Sequence, residues 1–214
     1  MTEQLKTTLL VIRHGETVWN RELRFQGYGD SPLTGAGRTQ ARALGRRLRG
    51  VDFEALICSD LGRTKATAAF IAESTGHAVE TDHRLRERNF GVLEGLRISE
   101  IKHRHPSVLD RLNAFDPEYV IPAGESHRQH YQRNVNIIEE LLAEKTGATV
   151  ALVAHSGFLD SIFRHVARLE LQQPRCFSAA NASLSIFSHG LFYGARRWVI
   201  ETLGDVGHLI GIKK

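Results

Sequence analysis

Two histidines stand directly after the two most apolar runs of the chain. His14 follows the run 9–12 (LLVI) and Arg13, and His155 follows the run 150–154 (VALVA). Runs that are apolar on both faces are typical of central strands in a parallel sheet. Because open α/β sheets bind ligands at the carboxyl ends of their strands, we expect the two imidazoles to meet at one edge of a sheet.

Arginines accompany the first histidine and a second predicted strand. Arg13 directly precedes His14, and Arg63 follows the run 56–58 at the start of a predicted helix. Guanidinium groups and helix N-termini suit a phosphate dianion because they offer fixed donors and positive charge. A neighbouring arginine also lowers the pKa of a histidine, which leaves the neutral imidazole that acts as a nucleophile. These residues therefore indicate a phosphate site with a nucleophilic histidine.

The elements that must position these residues alternate between strand and helix. Periodicity, caps and turn residues predict strands at 9–12, 56–58, 78–81 and 150–154, helices at 35–49, 63–74, 125–145 and from 156 to about 167, and a hairpin that pairs 182–187 with 198–203 around 190–194. The polar stretch that ends at Pro32 is predicted as a long loop. Such alternation is typical of an α/β domain with a largely parallel sheet.

Segment 83–125 is the least regular part of the chain. Pro106, Pro117 and Pro122 interrupt any long periodic pattern, so we predict an insertion of loops and a short helix over the active-site edge of the sheet. The expected fold class is therefore α/β, a single three-layer domain over residues 1–214 with a mostly parallel central sheet and helices on both faces. We expect specificity to lie in 90–125, where five side chains are available to a polar leaving group: Arg97, Lys102, His103, Arg104 and Arg111.

Composition sets outer limits on the function. Of the 214 residues, 42% are hydrophobic and 24% are charged, values typical of a globular protein and unlike disordered or fibrous classes. The net charge of +4 is compatible with an anionic partner but identifies none. Two cysteines, and no apolar run of about 18 residues, predict a soluble cytoplasmic protein without a membrane partner.

An ordered set of short motifs runs through most of the chain. The first is RHGET at 13–17 with WN at 19–20, and the others follow in order: FQG at 25–27, DSPLT at 30–34, SDLGRT at 59–64, ER at 87–88, Gly91 with EG at 94–95, GES at 124–126 and HSG at 155–157. A bare RHG tripeptide recurs by chance, whereas this ordered set is specific. The chain thus resembles the histidine phosphatase superfamily, in its phosphoglycerate-mutase-like branch.

The resemblance implies a phosphohistidine mechanism. His14 matches the nucleophile that becomes phosphohistidine, and Glu87 matches the acid that protonates the leaving oxygen and then deprotonates the hydrolytic water. The other matches surround the phosphoryl group and the substrate: Arg13, Arg63 and a protonated His155 as a cationic pocket, Asn20 as a phosphate hydrogen bond, and Gln26 and Gly27 as substrate-binding or loop-shaping positions. Phosphoryl transfer depends mainly on positioning and on neutralising the equatorial oxygens, so we expect neither a metal nor another cofactor.

Two activities and one inactive alternative remain open within this resemblance. Cofactor-dependent mutases of the family carry a lysine eleven residues after the acid and a later Arg-Arg pair, which hold a bisphosphoglycerate. Here Ile98 occupies the first position, Phe90 replaces a tyrosine, and no Arg-Arg pair lies between 98 and 125. We therefore predict a phosphatase acting on a small phosphorylated metabolite, with a bisphosphoglycerate-dependent mutase as the alternative. A non-catalytic phosphate-binding protein would require the loss of His14 or Glu87, and both are present.

Three further features have simpler interpretations than a second site. The histidines of 103–105 and of 127–130 are predicted on a solvated surface, because a metal site needs three or four convergent ligands. The arginines spaced along 38–49 are predicted as the exposed face of an amphipathic helix and not as a nucleic-acid site. The tail 204–214 is expected either to fold over the active-site mouth or to mediate a homodimer.

Overall fold

A six-stranded sheet lies at the centre of the computed structural model, which describes residues 5–212. Its strands are β1 Thr7–Arg13, β2 Ala55–Cys58, β3 Val79–Thr81, β4 Thr149–Ala154, β5 Leu184–Phe192 and β6 Ala195–Asp205. The helices are α1 Val18–Arg21, α2 Gly35–Leu48, α3 Gly62–Thr75, α4 Ile98–Arg104, α5 Pro106–Asn113, α6 His127–Glu144 and α7 Ser156–Ala167. The predicted alternation of the main strands and helices is confirmed.

The strand order is β3-β2-β4-β1-β5-β6, and the first four of these strands are parallel. β5 pairs antiparallel with β1, and β6 pairs antiparallel with β5, so a hairpin extends one edge of the parallel sheet. In the register of β1 with β4, Arg13 lies opposite Ala154. The two strands therefore end together, and the residues that follow them, His14 and His155, lie side by side.

Helices cover both faces of the sheet because its central strands are apolar on both sides. Leu9 and Val11 of β1 pack against α6 and α7, where Phe158 is part of the same buried cluster. Leu10 and Ile12 belong to the cluster on the opposite face, which α2 and α3 cover. The single α/β domain with three layers and a mostly parallel sheet is the predicted fold class.

The insertion contains two short helices where one was predicted. α4 and α5 meet at His105, and Pro106 occupies the first position of α5, where a helix does not need the missing amide hydrogen. Proline therefore begins a helix at this point. With the 3-10 turn Gly91–Leu93, the two helices enclose a small third core of Leu93, Ile101, Val108 and Ile121.

Two other local predictions need correction. The stretch predicted as a loop contains α1, which a capping box closes: the Thr17 hydroxyl accepts from the Asn20 N–H, and Asn20 Oδ1 accepts from the Thr17 N–H. The final hairpin is longer than predicted and turns at Tyr193 and Gly194, which both have positive φ as a tight hairpin turn requires. The additional residues are polar or exposed, so the pattern of apolar residues did not include them.

The end of the described chain packs against α2. Asp205 pairs with Arg47 of α2, and His208 Nε2 lies 3.0 Å from the carbonyl oxygen of Ala182. Residues 204–212 line neither of the two active-site cavities described below, so the prediction that this part covers the active-site mouth is wrong. Residues 213–214 lie outside the described residues, and the homodimer stays a prediction. Between residues 5 and 212, the helices are all too short or too polar to cross a membrane.

Candidate active site

A cavity of about 300 Å³, called here the His14 cavity, opens at the carboxyl ends of β1 and β4. Seven of the eight predicted site residues line it: Arg13, His14, Asn20, Gln26, Gly27, Arg63 and Glu87. The eighth, His155, packs against His14 with 5.3 Å between the ring centroids. The structure therefore brings all eight residues together.

His14 presents one ring nitrogen to this cavity. Its Nδ1 lies 2.8 Å from the Gly15 carbonyl oxygen, which only accepts hydrogen bonds, so Nδ1 carries the proton and Nε2 the lone pair. The His14 N–H donates to the Ala154 carbonyl at 3.1 Å, which ties the end of β1 to β4. Burial, and then the charges of Arg63 and Arg13, hold the pKa of His14 well below its usual value. His14 is thus a neutral imidazole held in one orientation.

The charge state of His155 differs from the expected one. The side chain is fully buried, and burial together with the charges of Arg63 and His14 holds its pKa well below the usual value. His155 is therefore neutral in this structure, because burial and the neighbouring positive charges both disfavour the protonated ring. Among the described residues, neither of its ring nitrogens has a hydrogen-bond partner. Its hydrogen-bonding capacity is available to a group bound in the cavity.

Arg63 enters the site from the first turn of α3 with a side chain that is 1% exposed. Its guanidinium donates to the carbonyls of Gly29 at 2.9 Å and Gly27 at 2.7 Å, and lies 3.4 Å from Asp30 Oδ1. Asp30 also caps α3, since its carboxylate accepts the Gly62 N–H at 2.6 Å. Loop and helix therefore hold the Arg63 guanidinium in one orientation.

Arg13 is anchored on the other side of the cavity by the segment before β5. Its guanidinium donates to the Ala179 carbonyl. Burial lowers the pKa of Arg13 to about 10, so the side chain is still a cation at neutral pH. Within residues 5–212, the Nε atoms of Arg13 and Arg63 are buried without an acceptor, and both His155 nitrogens are buried without a hydrogen-bond partner. Buried donors without partners are unfavourable, and the two arginines line the same cavity, which indicates an anion site.

Thr17 orients the two amide side chains of the site. Its N–H donates to Asn20 Oδ1 at 3.1 Å, and its hydroxyl lies 3.1 Å from Gln26 Oε1. Asn181 Nδ2 donates to the same Asn20 oxygen at 3.1 Å. Because these interactions occupy the amide oxygens, the NH₂ groups of Asn20 and Gln26 are available to donate to a bound anion.

Gly27 shapes the loop instead of supplying a side chain. Its φ is +55°, and a Cβ atom there would lie 2.1 Å from Glu94 Oε1. The Glu94 carboxylate accepts the N–H groups of Tyr28 and Gly29 at 2.8 and 2.7 Å, which holds the turn together. The Gly27 carbonyl can therefore face Arg63. Of its two predicted roles, this geometry favours loop shaping.

Glu87 is buried at the same cavity, although arginines flank it in the sequence. Arg84 and Arg86 pair elsewhere, with Asp82 and Asp60. Glu87 Oε1 accepts the Arg88 N–H at 2.9 Å, and Oε2 accepts the Gly157 N–H at 3.1 Å. The carboxyl group is therefore held by the N-terminus of α7 and is not part of a solvated ion-pair face.

Several residues around the acid were not predicted as site residues. The Ser156 hydroxyl lies 3.3 Å from Glu87 Oε2, and a Cβ atom on Gly157 would lie 2.0 Å from Glu87 Oε1. The HSG motif contained this signal, since small residues after a strand-end histidine permit close approach. Asn181 and Arg175 come from the irregular segment before β5, where no pattern in the sequence indicates their position.

A second cavity of about 380 Å³, called here the Leu112 cavity, continues from the first. Glu87, Phe90 and Ser156 line both cavities. The lining of the second combines apolar side chains with polar ones of both charges: Phe90, Leu112, Phe115, Leu171 and Pro174, with Arg88, Asp116, His127, His130, Asp160, Arg164, Gln173 and Arg175. This cavity has space for an organic group attached to an anion in the first.

The five side chains predicted to confer specificity lie outside both cavities, although other residues of segment 90–125 line the Leu112 cavity. The side chains named for that role line neither cavity: Arg97, Lys102, His103, Arg104 and Arg111. Arg111 pairs with Asp116, which does line the Leu112 cavity. Polar residues of α4 point to solvent, while apolar residues of the insertion face the cavity. The prediction followed charge and missed the orientation of the helices.

The prediction that His127 and His130 lie on a solvated surface is also wrong. His130 is buried, and His127 lines the Leu112 cavity, where burial and Arg88 lower its pKa to about 4. His103 is exposed, as predicted. In the part of the chain that the structure describes, no group of three His, Cys, Asp or Glu side chains could hold a metal ion. The predicted helix face is exposed at each of its arginines: Arg38, Arg42, Arg46 and Arg49.

Comparison with known proteins identifies the family to which this chain belongs. The family model of the histidine phosphatase superfamily (branch 1) matches residues 9–206. A probable phosphoglycerate mutase GpmB from Klebsiella pneumoniae is 38% identical over 200 residues, which cover 93% of each chain. A GpmB protein of Salmonella choleraesuis is 36% identical over the same coverage.

Solved structures share the fold along nearly the whole chain. YhfR of Bacillus stearothermophilus is 32% identical with a TM-score of 0.84, covering 95% of this chain and 99% of that one. A mycobacterial glucosyl-3-phosphoglycerate phosphatase, solved with VO3, is 30% identical with a TM-score of 0.82, covering 93% and 99%. The names of these similar proteins thus include both mutases and phosphatases.

Proposed function

The chain belongs to branch 1 of the histidine phosphatase superfamily, and from this we propose that it is a metal-independent phosphatase that hydrolyses small phosphomonoesters through a phosphohistidine at His14. The observation that carries the proposal is the Nε2 lone pair of His14, which Gly15 orients into a cavity lined by Arg13, Arg63 and Glu87. The unpartnered buried donors at this cavity support the binding of a phosphoryl dianion.

In the first step, His14 Nε2 attacks phosphorus while the bond from phosphorus to the alcohol oxygen breaks. The Glu87 carboxyl group gives its proton to that oxygen, since an alkoxide is a poor leaving group. Arg13 and Arg63 stabilise the charge on the equatorial oxygens, a task that metal ions perform in many other phosphoryl-transfer enzymes. The alcohol leaves, and the phosphoryl group stays on His14.

In the second step, water hydrolyses the phosphohistidine. The Glu87 carboxylate takes a proton from the water as its oxygen bonds to phosphorus, and the bond from phosphorus to His14 Nε2 breaks. Phosphate leaves, His14 is again neutral, and Glu87 is again protonated. The low pKa of His14 supports this cycle, because the unphosphorylated imidazole does not retain a proton.

The alcohol part of the substrate would occupy the Leu112 cavity, because the two cavities meet at Glu87. An acid must lie next to the oxygen that it protonates. With its apolar side chains and polar side chains of both charges, this cavity suits an organic group larger than a few atoms.

A bisphosphoglycerate-dependent mutase is the second candidate, favoured by the names of the GpmB relatives. A mutase must hold the second phosphate of a bisphosphate while the first is on the histidine. Ile98, at the position expected for a lysine, is exposed and lines neither cavity. Arg88 and Arg175 are the basic residues beside the acid that such a mutase would have to use instead.

The proposal is tested by phosphate release from a panel of phosphomonoesters with EDTA present. Phosphoglycerate mutase activity is measured alongside, with and without 2,3-bisphosphoglycerate. We expect release that EDTA does not inhibit, loss of activity in His14→Ala, and full activity in the control His103→Ala, whose side chain is exposed. Efficient bisphosphoglycerate-dependent isomerisation would identify a mutase, and activity lost with EDTA would reject the metal-independent mechanism.

A further inference from the structure

His130 is a buried imidazole that the proposed reaction does not use. It lies on α6 with a side chain that is 2% exposed, and its Nε2 is 3.9 Å from Glu87 Oε1. That distance is too long for a hydrogen bond, so the ring packs against the carboxyl group without bonding to it. Polar side chains buried at this depth need hydrogen-bond partners, and the backbone of Arg86 is one of those of His130.

A chain of buried hydrogen bonds joins His130 to the far side of the same carboxyl group. The Ser161 hydroxyl donates to the Gly157 carbonyl at 3.1 Å, so its oxygen accepts from Asn134 Nδ2 at 2.9 Å. The Asn134 NH₂ group also lies 3.0 Å from His130 Nε2, which therefore accepts. Gly157 then donates its N–H to Glu87 Oε2 at 3.1 Å. The acid is thus enclosed between His130 and Gly157, with Asn134 and Ser161 connecting the two.

Packing in this region is tight enough to control the position of the carboxyl group. A Cβ atom on Gly157 would lie 2.0 Å from Glu87 Oε1 and 2.7 Å from His130 Cε1. Three groups therefore meet with no room for one more carbon atom. We expect a change in the His130 ring to move the carboxyl group, because the ring packs directly against it.

Over residues 5–212, the hydrogen-bond network of His130, Asn134 and Ser161 includes one polar atom without a partner. Asn134 Oδ1 is buried without a hydrogen-bond partner among the described residues, which lowers stability relative to an apolar side chain. His130 itself is neutral, since burial, Arg133 and His127 hold its pKa well below the usual value. A polar network with an unsatisfied atom, next to the acid, is better explained by function than by stability.

We propose that His130 is a positioning residue for Glu87: together with Asn134 and Ser161 it holds the carboxyl group in the orientation from which its proton reaches the leaving oxygen. The inference rests on the proposed function, in which Glu87 is the acid.

The test uses two substrates of similar size, p-nitrophenyl phosphate and benzyl phosphate. Nitrophenolate leaves without a proton, whereas the benzyl alkoxide requires the acid. Because kcat/KM reports the steps up to the loss of the alcohol, a misplaced acid lowers it for benzyl phosphate selectively. We expect His130→Leu to lower kcat/KM for benzyl phosphate by about 10- to 100-fold and for p-nitrophenyl phosphate by less than about threefold.

His130→Gln is the conservative variant, since its amide oxygen can accept from Asn134 in place of the ring nitrogen. We expect it to restore most of the benzyl phosphate activity. Ser161→Ala, which removes one hydroxyl group from the network, should show the same selectivity and provides the answer if His130→Leu does not fold. The matched control is His77→Leu: His77 stacks on Phe53 at 3.8 Å, far from the cavities, and its loss should not change the ratio of the two substrates.

Glu87→Gln, measured in parallel, separates the two proposals. If it loses benzyl phosphate activity selectively and the His130 and Ser161 variants do not, His130 is a structural residue only and the inference is overturned while Glu87 remains the acid. If Glu87→Gln affects both substrates equally, the acid role of Glu87 fails and the inference fails with it. An equal loss on both substrates in His130→Leu also overturns it.

Discussion

Burial controls the charge of the ionisable side chains in this site. His14 and His155 are both held neutral, because each is buried among the same two arginines. Arg13 stays a cation even though burial lowers its pKa to about 10, since that value is still well above neutrality. One environment therefore produces both a neutral histidine and a positive charge, which are what the proposed nucleophile and phosphoryl site require.

Because several histidines are buried, we expect the folded protein to lose stability in mild acid. Burial lowers the pKa of His14, His127, His130 and His155, so the unfolded chain takes up protons near pH 6.5 that the folded protein does not. Stability that is present above pH 6.5 is therefore lost as the pH falls toward 4. For His127, the fall from 6.5 to about 4 corresponds to about 3 kcal/mol, at about 1.4 kcal/mol per pKa unit.

Urea unfolding at pH 7.5, 6.0 and 5.0 measures this effect. We expect the free energy of unfolding to decrease at each step, and His127→Gln to show a shallower decrease than the unmodified protein. A free energy that does not change between pH 7.5 and 5.0 would contradict the low pKa values. Because His14 is already neutral, the acid limb of kcat/KM should lie below pH 6.5.

At the scale of elements, the site is built from strand ends and from the start of one helix. β1 ends at Arg13 and is followed by His14, β4 is followed by His155, and α7 begins at once with Ser156 and Gly157. The first turn of a helix has amide hydrogens without intrahelical partners. In α7, one of them binds Glu87. The close approach of this helix to the acid requires the absence of a side chain at Gly157.

Gly157→Ala tests that approach. The added Cβ atom would lie 2.0 Å from Glu87 Oε1, so we expect the acid to be displaced and kcat/KM for benzyl phosphate to fall by about 100-fold. Gly35→Ala is the control, because Gly35 is in the first turn of α2 with open space around it. It should leave activity unchanged and raise the melting temperature slightly. Unchanged activity in Gly157→Ala would show that the acid does not depend on this contact.

We expect Arg175, in the irregular segment before β5, to contribute to substrate selectivity. Asp160, which is buried, holds the Arg175 guanidinium at 3.2 Å, and Arg175 also donates to the Ser156 carbonyl at 3.1 Å. Arg175 is near enough to lower the pKa of Arg13. We expect Arg175→Gln to raise KM by about tenfold for 3-phosphoglycerate, whose leaving group carries a carboxylate. Glycerol 3-phosphate, which lacks the carboxylate, should change little, and equal changes for the two would reject this role.

At the scale of the whole molecule, one sheet connects the three buried clusters to the site. Its two faces hold the larger clusters, and the insertion carries the third above its carboxyl edge. Two hydrogen bonds join the insertion to the loop that carries Gln26 and Gly27, called here the site loop. The Phe25 N–H donates to the Leu96 carbonyl at 3.0 Å, and the Gly95 N–H donates to the Phe25 carbonyl at 2.8 Å. We therefore expect the insertion and the sheet to unfold together, as the predicted single domain requires.

Phe187→Ala tests this cooperativity. Phe187 is fully buried in β5, and its truncation should lower the free energy of unfolding by about 3–5 kcal/mol. Circular dichroism follows the sheet and helices, while fluorescence follows Trp19 beside the site loop and Trp198 on β6. The two transitions should coincide in the unmodified protein and in the variant. Separate transitions would show that the insertion or the hairpin is an independent unit.

Much of the site was predictable because its signals are local. Two apolar runs identified the central strands, and their ends positioned His14 and His155. Their positions beside a strand end and a helix start indicated Arg13 and Arg63, and the family resemblance carried by the ordered motifs implied Asn20, Gln26, Gly27 and Glu87. All six line the His14 cavity. A strand-end position or a cap depends on neighbouring residues alone, so sequence patterns are sufficient to find it.

Only the tertiary structure decided which side chains are buried against Glu87 and which line the Leu112 cavity. The pattern on α6 did not distinguish buried His130 from a surface histidine, and the charged residues of α4 that were expected at the substrate face solvent. Arg175, Asn181 and Ser161 reach the site from segments distant in sequence. The sequence by itself determined the fold class and which residues meet at the candidate site. Burial and orientation depend on how separate elements pack, and no local pattern contains that information.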